Sequence, residues 1–140
     1  MSNFVLDATV TMAWCFPDEV TPLSEAILDR LSNLTDTASV PALWLYEVVN
    51  VTELAVRKGR ISEQKAQEFL NIIAGMPIGI ESPTRNQVLN TVRGLASRYR
   101  LTGYDAAYLE LAIRLNLPIA TFDVALANAA HIAGVELVKQ

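Results

Sequence analysis

Four acidic side chains interrupt apolar segments of this 140-residue chain. Asp7 ends the apolar run NFVLD, Glu47 stands inside WLYEVV, Asp105 opens YDAAYLELAI, and Asp123 follows PIATF. An ionised carboxylate is costly to bury without a positive partner, and the basic residue nearest to Glu47 in sequence is Arg57. Solvation explains most of the 15 acidic residues, but it does not explain these four, so they are the first candidates for chemistry.

Like charges that share one cleft repel one another unless they are protonated or neutralised. A divalent cation is the group best matched to several hard oxygen ligands. Mg²⁺ or Mn²⁺ is preferred, because Mg²⁺ accepts one or two carboxylates directly and keeps several waters that further acids can hold. Such an ion acidifies its bound water and stabilises charge that develops on a phosphoryl group, so attack of water on phosphorus is the expected chemistry.

Each of the four acids also has a structural explanation. Asp123 could cap the helix that follows it, because Asp between a strand and a helix is a frequent N-cap. Asp105 stands three residues after Thr102, and the pair could form a capping box in which the acid also favours the helix dipole. Asp7 could accept hydrogen bonds from amides of its own turn, and Glu47 could belong to a buried ion pair. The structural roles and the metal-binding role both stay open at this point.

Short apolar strands alternate with helices along the chain. The predicted strands are residues 3–6, 37–40, 77–81, 117–122 and 135–138. The predicted helices are a turn that Pro17 stops, a helix from Pro22 with Thr21 as its cap, a long helix with Pro41 in its first turn and Gly59 at its end, a helix from Ser62 through FLNIIAG, and helices over 84–99, 105–115 and 123–134. This alternation indicates an α/β domain in which helices cover a parallel sheet.

Such a sheet would position the acids. In a parallel α/β sheet the carboxyl ends of the strands meet at one edge, and ligands bind in the crevice there. Asp7 and Asp123 are predicted at strand ends, and Asp105 is predicted at a helix start. Glu47, about two turns into its helix, could point over the same edge. We therefore expect the four carboxylates to face one cleft.

Composition limits the other possible functions. A single histidine, His131, and a single cysteine, Cys15, cannot build a His-rich zinc site, a disulfide framework or a plausible Cys/His nucleophile pair. Cys15 is expected to pack as a small hydrophobic side chain. One domain spanning residues 1–140 is the default at this length. With 51% hydrophobic residues, one apolar face could be shared with a second copy.

The net charge of −4 is not typical of a nucleic-acid-binding protein, which usually carries a basic face. Two basic clusters could nevertheless contact phosphates or simply be solvated: Arg57, Lys58 and Arg60, and Arg85, Arg93, Arg98 and Arg100. No apolar stretch approaches the roughly 20 residues of a membrane helix, and the N-terminus has no signal-peptide pattern. We therefore expect a cytoplasmic protein without a membrane partner.

The acids in their contexts resemble the PIN-domain ribonucleases, and among them the VapC-type toxins of bacterial and archaeal toxin–antitoxin pairs. The matching pieces are VLDATVTMAWCFPDE, PALWLYEVVNV, LTGYDAAYLELA and IATFDVALANAA. The resemblance covers essentially the whole chain, in the right order. It implies a three-layer α/β/α sandwich with a mainly parallel sheet, and an acidic quartet of Asp7, Glu47, Asp105 and Asp123 that binds Mg²⁺ or Mn²⁺.

The same resemblance implies an endoribonuclease that acts as the toxin of a toxin–antitoxin pair, forms a homodimer, and is inhibited by a small VapB-type antitoxin. Thr121 falls where the family often places a hydroxyl that supports the site. Asn50, one turn after Glu47, and Thr9 are further candidates for a supporting role.

Two rival functions remain. A non-catalytic interaction module would use the acids as helix caps and its apolar faces to bind a partner. A haloacid-dehalogenase-like phosphatase also begins with an Asp after its first strand, but it needs a second Asp where this chain has Thr9. Loss of metal affinity in acid-to-amide variants would separate the nuclease from the module.

Overall fold

A parallel four-stranded sheet forms the centre of the molecule. The computed structural model describes residues 2–139. The strands are β1 (Ser2–Leu6), β2 (Asp36–Pro41), β3 (Ile78–Glu81) and β4 (Ile119–Ala120), in the order β3-β2-β1-β4. All neighbouring pairs are parallel, and Val5 of β1 lies opposite Ser39 of β2 and Ile119 of β4. Strand β2 is therefore added on one side of β1, and β4 is added on the other side.

Seven α-helices of the described residues flank this sheet: α1 (Ala8–Ala13), α2 (Pro22–Ser32), α3 (Leu43–Arg57), α4 (Glu63–Ala74), α5 (Arg93–Tyr99), α6 (Gly103–Leu115) and α7 (Val124–Ile132). The right-handed crossovers expected between parallel strands would place α2 to α4 on one side of the sheet, where α2 and α3 contact β2 and α4 packs on α3. The return to β4 places α5 and α6 on the other side, where α6 contacts β1, β2 and β4. The result is the predicted three-layer α/β/α sandwich. None of the described helices has the length and apolar composition needed to cross a membrane.

Strand β1 lies at the centre of the core. Phe4, Val5 and Leu6 are all fully buried, although their side chains point alternately to opposite faces of the sheet. A strand covered on both faces reads as a continuous apolar run, which explains the FVL sequence. Leu109 and Tyr108 of α6 are also fully buried in this core. The chain at the end of β1 is thus buried, including Leu6, Asp7 and Ala8.

Hydroxyl caps open three helices at the predicted residues. Thr21 and Ser24 form a capping box at the start of α2. The Ser62 hydroxyl accepts a hydrogen bond from an amide of the first turn of α4, and Thr102 does the same for α6. These caps satisfy amides that have no partner within their helix, and they fix where each helix begins.

Three predicted elements differ from the structure. Pro41 ends β2, where its missing N–H is tolerated, so the long helix begins only at Leu43. Within the predicted helix 84–99, Gln87–Val92 is wound as a π-helix; its wider turn departs from the apolar spacing, and Val88 is exposed. The predicted strand 135–138 is reduced to one bridge beside the two-residue β4.

A charged cluster fastens the amino edge of the sheet. The buried Asp36 side chain accepts hydrogen bonds at Oδ1 from the Ser2 amide (3.0 Å) and hydroxyl (2.6 Å). Its Oδ2 pairs with the Arg30 guanidinium of α2. The Ser2 hydroxyl and Arg30 lower the pKa of Asp36 from 3.8 to about 2. This acid has a complete set of partners inside the protein.

Substitution Asp36→Asn should lower the free energy of unfolding by about 2 kcal/mol, because it leaves Arg30 unpaired at a buried contact. The stability that Asp36 contributes is fully present above pH 3.8 and is lost as the pH falls towards about 2. Urea denaturation at pH 7 and at pH 3 measures both effects.

The matched control is Asp29→Asn, which changes an exposed acid on the same helix as Arg30. We expect a change of less than about 0.5 kcal/mol for this surface position. Equal stabilities for the two variants would contradict a structural role for Asp36.

Candidate metal centre

The site forms where the direction of strand addition changes. Strands β1 and β4 are neighbours, while β2 and β3, which follow β1 in sequence, are added on the side of β1 away from β4. Asp7 directly follows β1, and its amide donates to the Ala120 carbonyl of β4 at 2.9 Å. Thr121 and Asp123 follow β4. This is the topological switch point at which open α/β sheets bind ligands.

Asp7 is held by two threonine hydroxyls. It is only 3% exposed, and its Oδ2 accepts hydrogen bonds from Thr9 Oγ1 (2.6 Å) and Thr121 Oγ1 (2.7 Å). Each hydroxyl oxygen also accepts a hydrogen bond from a backbone amide. The Phe122 amide donates to Thr9 and the Asp123 amide donates to Thr121, both at 3.0 Å. Since these amides occupy the hydroxyl oxygens, the hydroxyl protons are directed at Asp7. Both threonines proposed to support the site therefore touch Asp7.

Glu47 is held by a tyrosine. It is half-buried on α3, and its Oε1 accepts a hydrogen bond from the Tyr108 hydroxyl of α6 at 2.6 Å. One turn earlier, the buried Trp44 donates from Nε1 to the Thr11 hydroxyl of α1 at 3.0 Å. These two hydrogen bonds link the first turns of α3 to α6 and to α1.

Asp105 and Asp123 lie at helix starts and differ in how they are used there. Asp123 caps α7, because its Oδ1 accepts a hydrogen bond from the Leu126 amide at 2.8 Å. At the start of α6 the capping box is only half formed: the Thr102 hydroxyl accepts the Asp105 amide at 3.1 Å. The Asp105 carboxylate accepts no hydrogen bond from the residues described. Capping thus accounts for one oxygen of Asp123 and for neither oxygen of Asp105.

The four carboxylates influence one another electrostatically. Burial raises the pKa of Asp7, and the charge of Asp123 adds to this, while the Thr9 and Thr121 hydroxyls oppose it. Burial likewise raises the pKa of Glu47, opposed by Tyr108 and reinforced by the charges of Asp7 and Asp105.

Asp105 carries the clearest sign of this crowding. Burial first, and then the charges of Asp123 and Asp7, raise its pKa from 3.8 to about 6. Among the described residues, no Lys, Arg or His side chain forms an ion pair with any of the four acids. Within the part of the chain that the structure describes, no ion pair therefore compensates the charge of these acids.

The donor set suits a hydrated hard cation. Within residues 2–139, no three His, Cys, Asp or Glu side chains are close enough to enclose an ion by themselves. Mg²⁺ needs only one or two direct carboxylates and keeps its other positions for water. Carboxylate and hydroxyl oxygens without sulfur or imidazole favour Mg²⁺ or Mn²⁺ over zinc or copper. The chemistry of these donors therefore fits such an ion.

Two further polar side chains lie near Glu47: Asn50, which the sequence suggested as a supporting residue, and Tyr108, which it did not. Asn50 is exposed and makes no side-chain hydrogen bond to another described residue; it lines a groove of about 670 Å³ together with Glu47, Leu43 and Leu54. Tyr108 touches Glu47 but was not among the predicted site residues. Its signal was a tyrosine on a helix face that is otherwise apolar, where its hydroxyl needs a partner.

Comparisons with known proteins show the family of this chain. The family model of the PIN domain matches residues 4–132, which contain all four acids. Ribonuclease VapC3 of Pyrobaculum aerophilum is 28% identical over 126 residues, which cover 90% of this chain and 93% of that protein.

Two solved structures share the fold. The crystal structure of PAE2754 from Pyrobaculum aerophilum aligns with a TM-score of 0.70 and 21% identity, over 91% of this chain and 84% of that one. VapBC2 from Rickettsia felis, bound to a DNA fragment from its promoter, aligns with a TM-score of 0.66 and 14% identity, over 99% and 98% of the two chains. Since the family model spans most of the sequence, this chain belongs to the PIN-domain family.

Proposed function

We propose that the protein is a Mg²⁺- or Mn²⁺-dependent endoribonuclease that acts as the toxin of a toxin–antitoxin pair. One observation carries the proposal: Asp7, Glu47, Asp105 and Asp123 lie near enough for burial and mutual charge to raise the pKa values of the first three, and within the described residues none of the four has a basic partner. Family membership supports a nuclease, and the relative named ribonuclease VapC3 supports RNA as the substrate.

The surroundings of the acids suggest different roles for them. Asp7 and Asp105 would bind the ion directly, since Asp7 is fixed by two hydroxyls and Asp105 has both oxygens free of protein hydrogen bonds. Glu47 and Asp123 would hold waters of the ion or a second ion, because each already gives one oxygen to a protein donor. When bound, the ion would acidify water and stabilise the charge that develops on the phosphate.

The carboxylates would then direct the hydrolysis. A water held by one carboxylate attacks phosphorus in line, its oxygen forms the new P–O bond, and its proton passes to that carboxylate. The bond from phosphorus to the 3′ oxygen breaks, and that oxygen takes a proton from solvent. The products are a 5′-phosphate and a 3′-hydroxyl. The protein contributes position and a negative environment that retains the ion.

The RNA phosphates need positive partners outside the quartet. Arg60 is already committed, since it pairs with Asp18 and Glu19. Arg93 forms no ion pair within the described residues and lines a mainly apolar pocket of about 550 Å³ beside Tyr104, next to Asp105 in sequence. The basic residues between 85 and 100 are therefore better candidates for phosphate contacts than the cluster at 57–60.

An antitoxin and a second copy of this chain are the proposed protein partners. Related structures include VapBC2 from Rickettsia felis and a toxin–antitoxin complex from Klebsiella pneumoniae. On α3, Tyr46 and Val49 are 78% and 56% exposed, which fits a surface that a protein partner covers. A cytoplasmic location is part of this proposal, since the RNA and the antitoxin would be found there.

A non-catalytic interaction module is the second candidate, because Asp123 does cap α7. That function would require no metal, and it would leave the raised pKa of Asp105 without a purpose. Metal binding separates the two functions directly.

Substitution Asp7→Asn should reduce metal-dependent RNA cleavage by about 100-fold or more, since several kcal/mol of charge stabilisation depend on the ion. Cleavage of a labelled single-stranded RNA by the purified protein, with Mg²⁺, with Mn²⁺ or with EDTA, measures the effect. Asp29→Asn is the matched control, because it makes the same chemical change on an exposed part of α2. Full cleavage by Asp7→Asn would show that the assignment of Asp7 is wrong.

Substitution Asp105→Asn should stabilise the metal-free protein at pH 7.5 by on the order of 1 kcal/mol, after allowance for solvent screening. The pKa of Asp105 rises on folding from 3.8 to about 6, so the folded state binds the proton more tightly. The stability that the parent gains from protonated Asp105 is fully present below pH 3.8 and is lost as the pH rises through about 6. The parent should therefore be less stable at pH 7.5 than at pH 5, relative to the variant.

Urea denaturation with and without 10-fold excess Mg²⁺ over its Kd would complete this test, because binding to the folded state adds about 1.4 kcal/mol at that excess. The parent should gain stability from Mg²⁺ at pH 7.5, and Asp105→Asn should gain less. Equal gains would remove Asp105 from the metal site.

Expression of the parent chain in bacteria should arrest growth, and expression of Asp7→Asn should not, because arrest would follow from RNA cleavage. Growth curves with immunoblots to verify equal protein levels measure this. Arrest by the variant at an equal level would instead indicate sequestration of a cellular partner.

A further inference from the structure

Tyr108 places a hydroxyl where the core alone does not need one. Its side chain is fully buried in the main hydrophobic cluster. Phenylalanine would fill the same space without the cost of burying a polar group. The hydroxyl is satisfied by Glu47, whose own burial is unfavourable to a charge. A pair of this kind is an expensive way to stabilise a fold, since a backbone carbonyl would satisfy a tyrosine equally well.

The hydrogen bond restricts a flexible side chain. Glu47 has three side-chain torsions and is only partly buried, so an unheld carboxylate would sample several rotamers. The 2.6 Å contact fixes Oε1. Within the described residues Oε2 accepts no hydrogen bond, and it is therefore the oxygen left for a ligand.

The donor also comes from the helix that carries a second acid. Asp105 and Tyr108 lie one turn apart on α6, whose start is fixed by the Thr102 cap. Holding Glu47 from Tyr108 therefore sets the position of an acid on α3 relative to an acid on α6. The hydroxyl thus forms a direct hydrogen-bonded link between the two helices that carry these acids.

We propose that Tyr108 is a positioning residue of the metal site: its hydroxyl holds the Glu47 carboxylate so that Oε2 faces the ion or one of its waters. This inference rests on the proposed function, in which Glu47 belongs to the metal site. Outer partners that orient a metal ligand typically contribute about 10-fold or more to metal affinity.

A double-mutant cycle of Tyr108→Phe and Glu47→Gln tests this proposal. Mn²⁺ affinity of the metal-free protein is measured by electron paramagnetic resonance, beside RNA cleavage and thermal unfolding. Tyr108→Phe should weaken Mn²⁺ binding about 10-fold. In the Glu47→Gln background it should weaken binding no further, because the group it positions is already altered. The matched control is Tyr99→Phe on α5, which removes a hydroxyl that has no hydrogen-bond partner among the described residues.

The outcomes separate the inference from the proposed function. Parental Mn²⁺ affinity in Tyr108→Phe, with weakened binding in Glu47→Gln, would overturn the role of Tyr108 and leave the metal site intact. An equal loss from Tyr108→Phe in both backgrounds would show a general structural effect and would also overturn it. Parental affinity in Glu47→Gln itself would remove Glu47 from the site and overturn the role of Tyr108, whereas a parent protein that binds no Mn²⁺ would overturn the proposed function. All affinities are measured below the unfolding temperature of the least stable variant, so that each comparison is between folded proteins.

Discussion

Repulsion among carboxylates at the carboxyl edge of the sheet is the constraint that organises this molecule. The amino edge shows the opposite arrangement: Asp36 meets Arg30 there, and its pKa is lowered to about 2. At the carboxyl edge burial and like charges raise the pKa of Asp105 to about 6, and no described basic side chain answers it. The buried Asp36 thus shows that this fold can supply a buried acid with a basic partner. An uncompensated cluster of acids is the electrostatic counterpart of a cation site.

Neutral hydroxyls, rather than basic side chains, hold these acids in place. Thr9 and Thr121 donate to Asp7, and Tyr108 donates to Glu47. A hydroxyl fixes the direction of a carboxylate and lowers the cost of burying it, yet it adds no positive charge. An arginine at the same place would neutralise the acid and compete with a metal ion. The choice of donor therefore keeps the negative potential that a cation requires, at a cost to the stability of the metal-free protein.

The sequence predicted what depends on local patterns. Apolar runs predicted four strands and the placing of Asp7 and Asp123 after strands. Capping chemistry predicted the helix starts at Thr21 and Ser62. The π-helical turn over Gln87–Val92 was missed, since helical periodicity assumes 3.6 residues per turn. The contact between Tyr108 and Glu47 spans 61 residues and two helices, and no local pattern encodes it. Long-range pairs of this kind depend on how helices are docked, which a single sequence does not specify.

Capping and metal binding are compatible at these positions, because they use different atoms. Asp123 gives Oδ1 to the amide of Leu126, and a carboxylate can accept at its second oxygen as well. Parallel strands bring their carboxyl ends and the starts of the following helices to one edge, so an acid that caps a helix there also faces the ligand crevice. Asp123, which caps α7 with one oxygen, therefore keeps its second oxygen for another partner. Asp105 separates the two explanations: Thr102 supplies the cap of α6, and the carboxylate of Asp105 is left to the cleft.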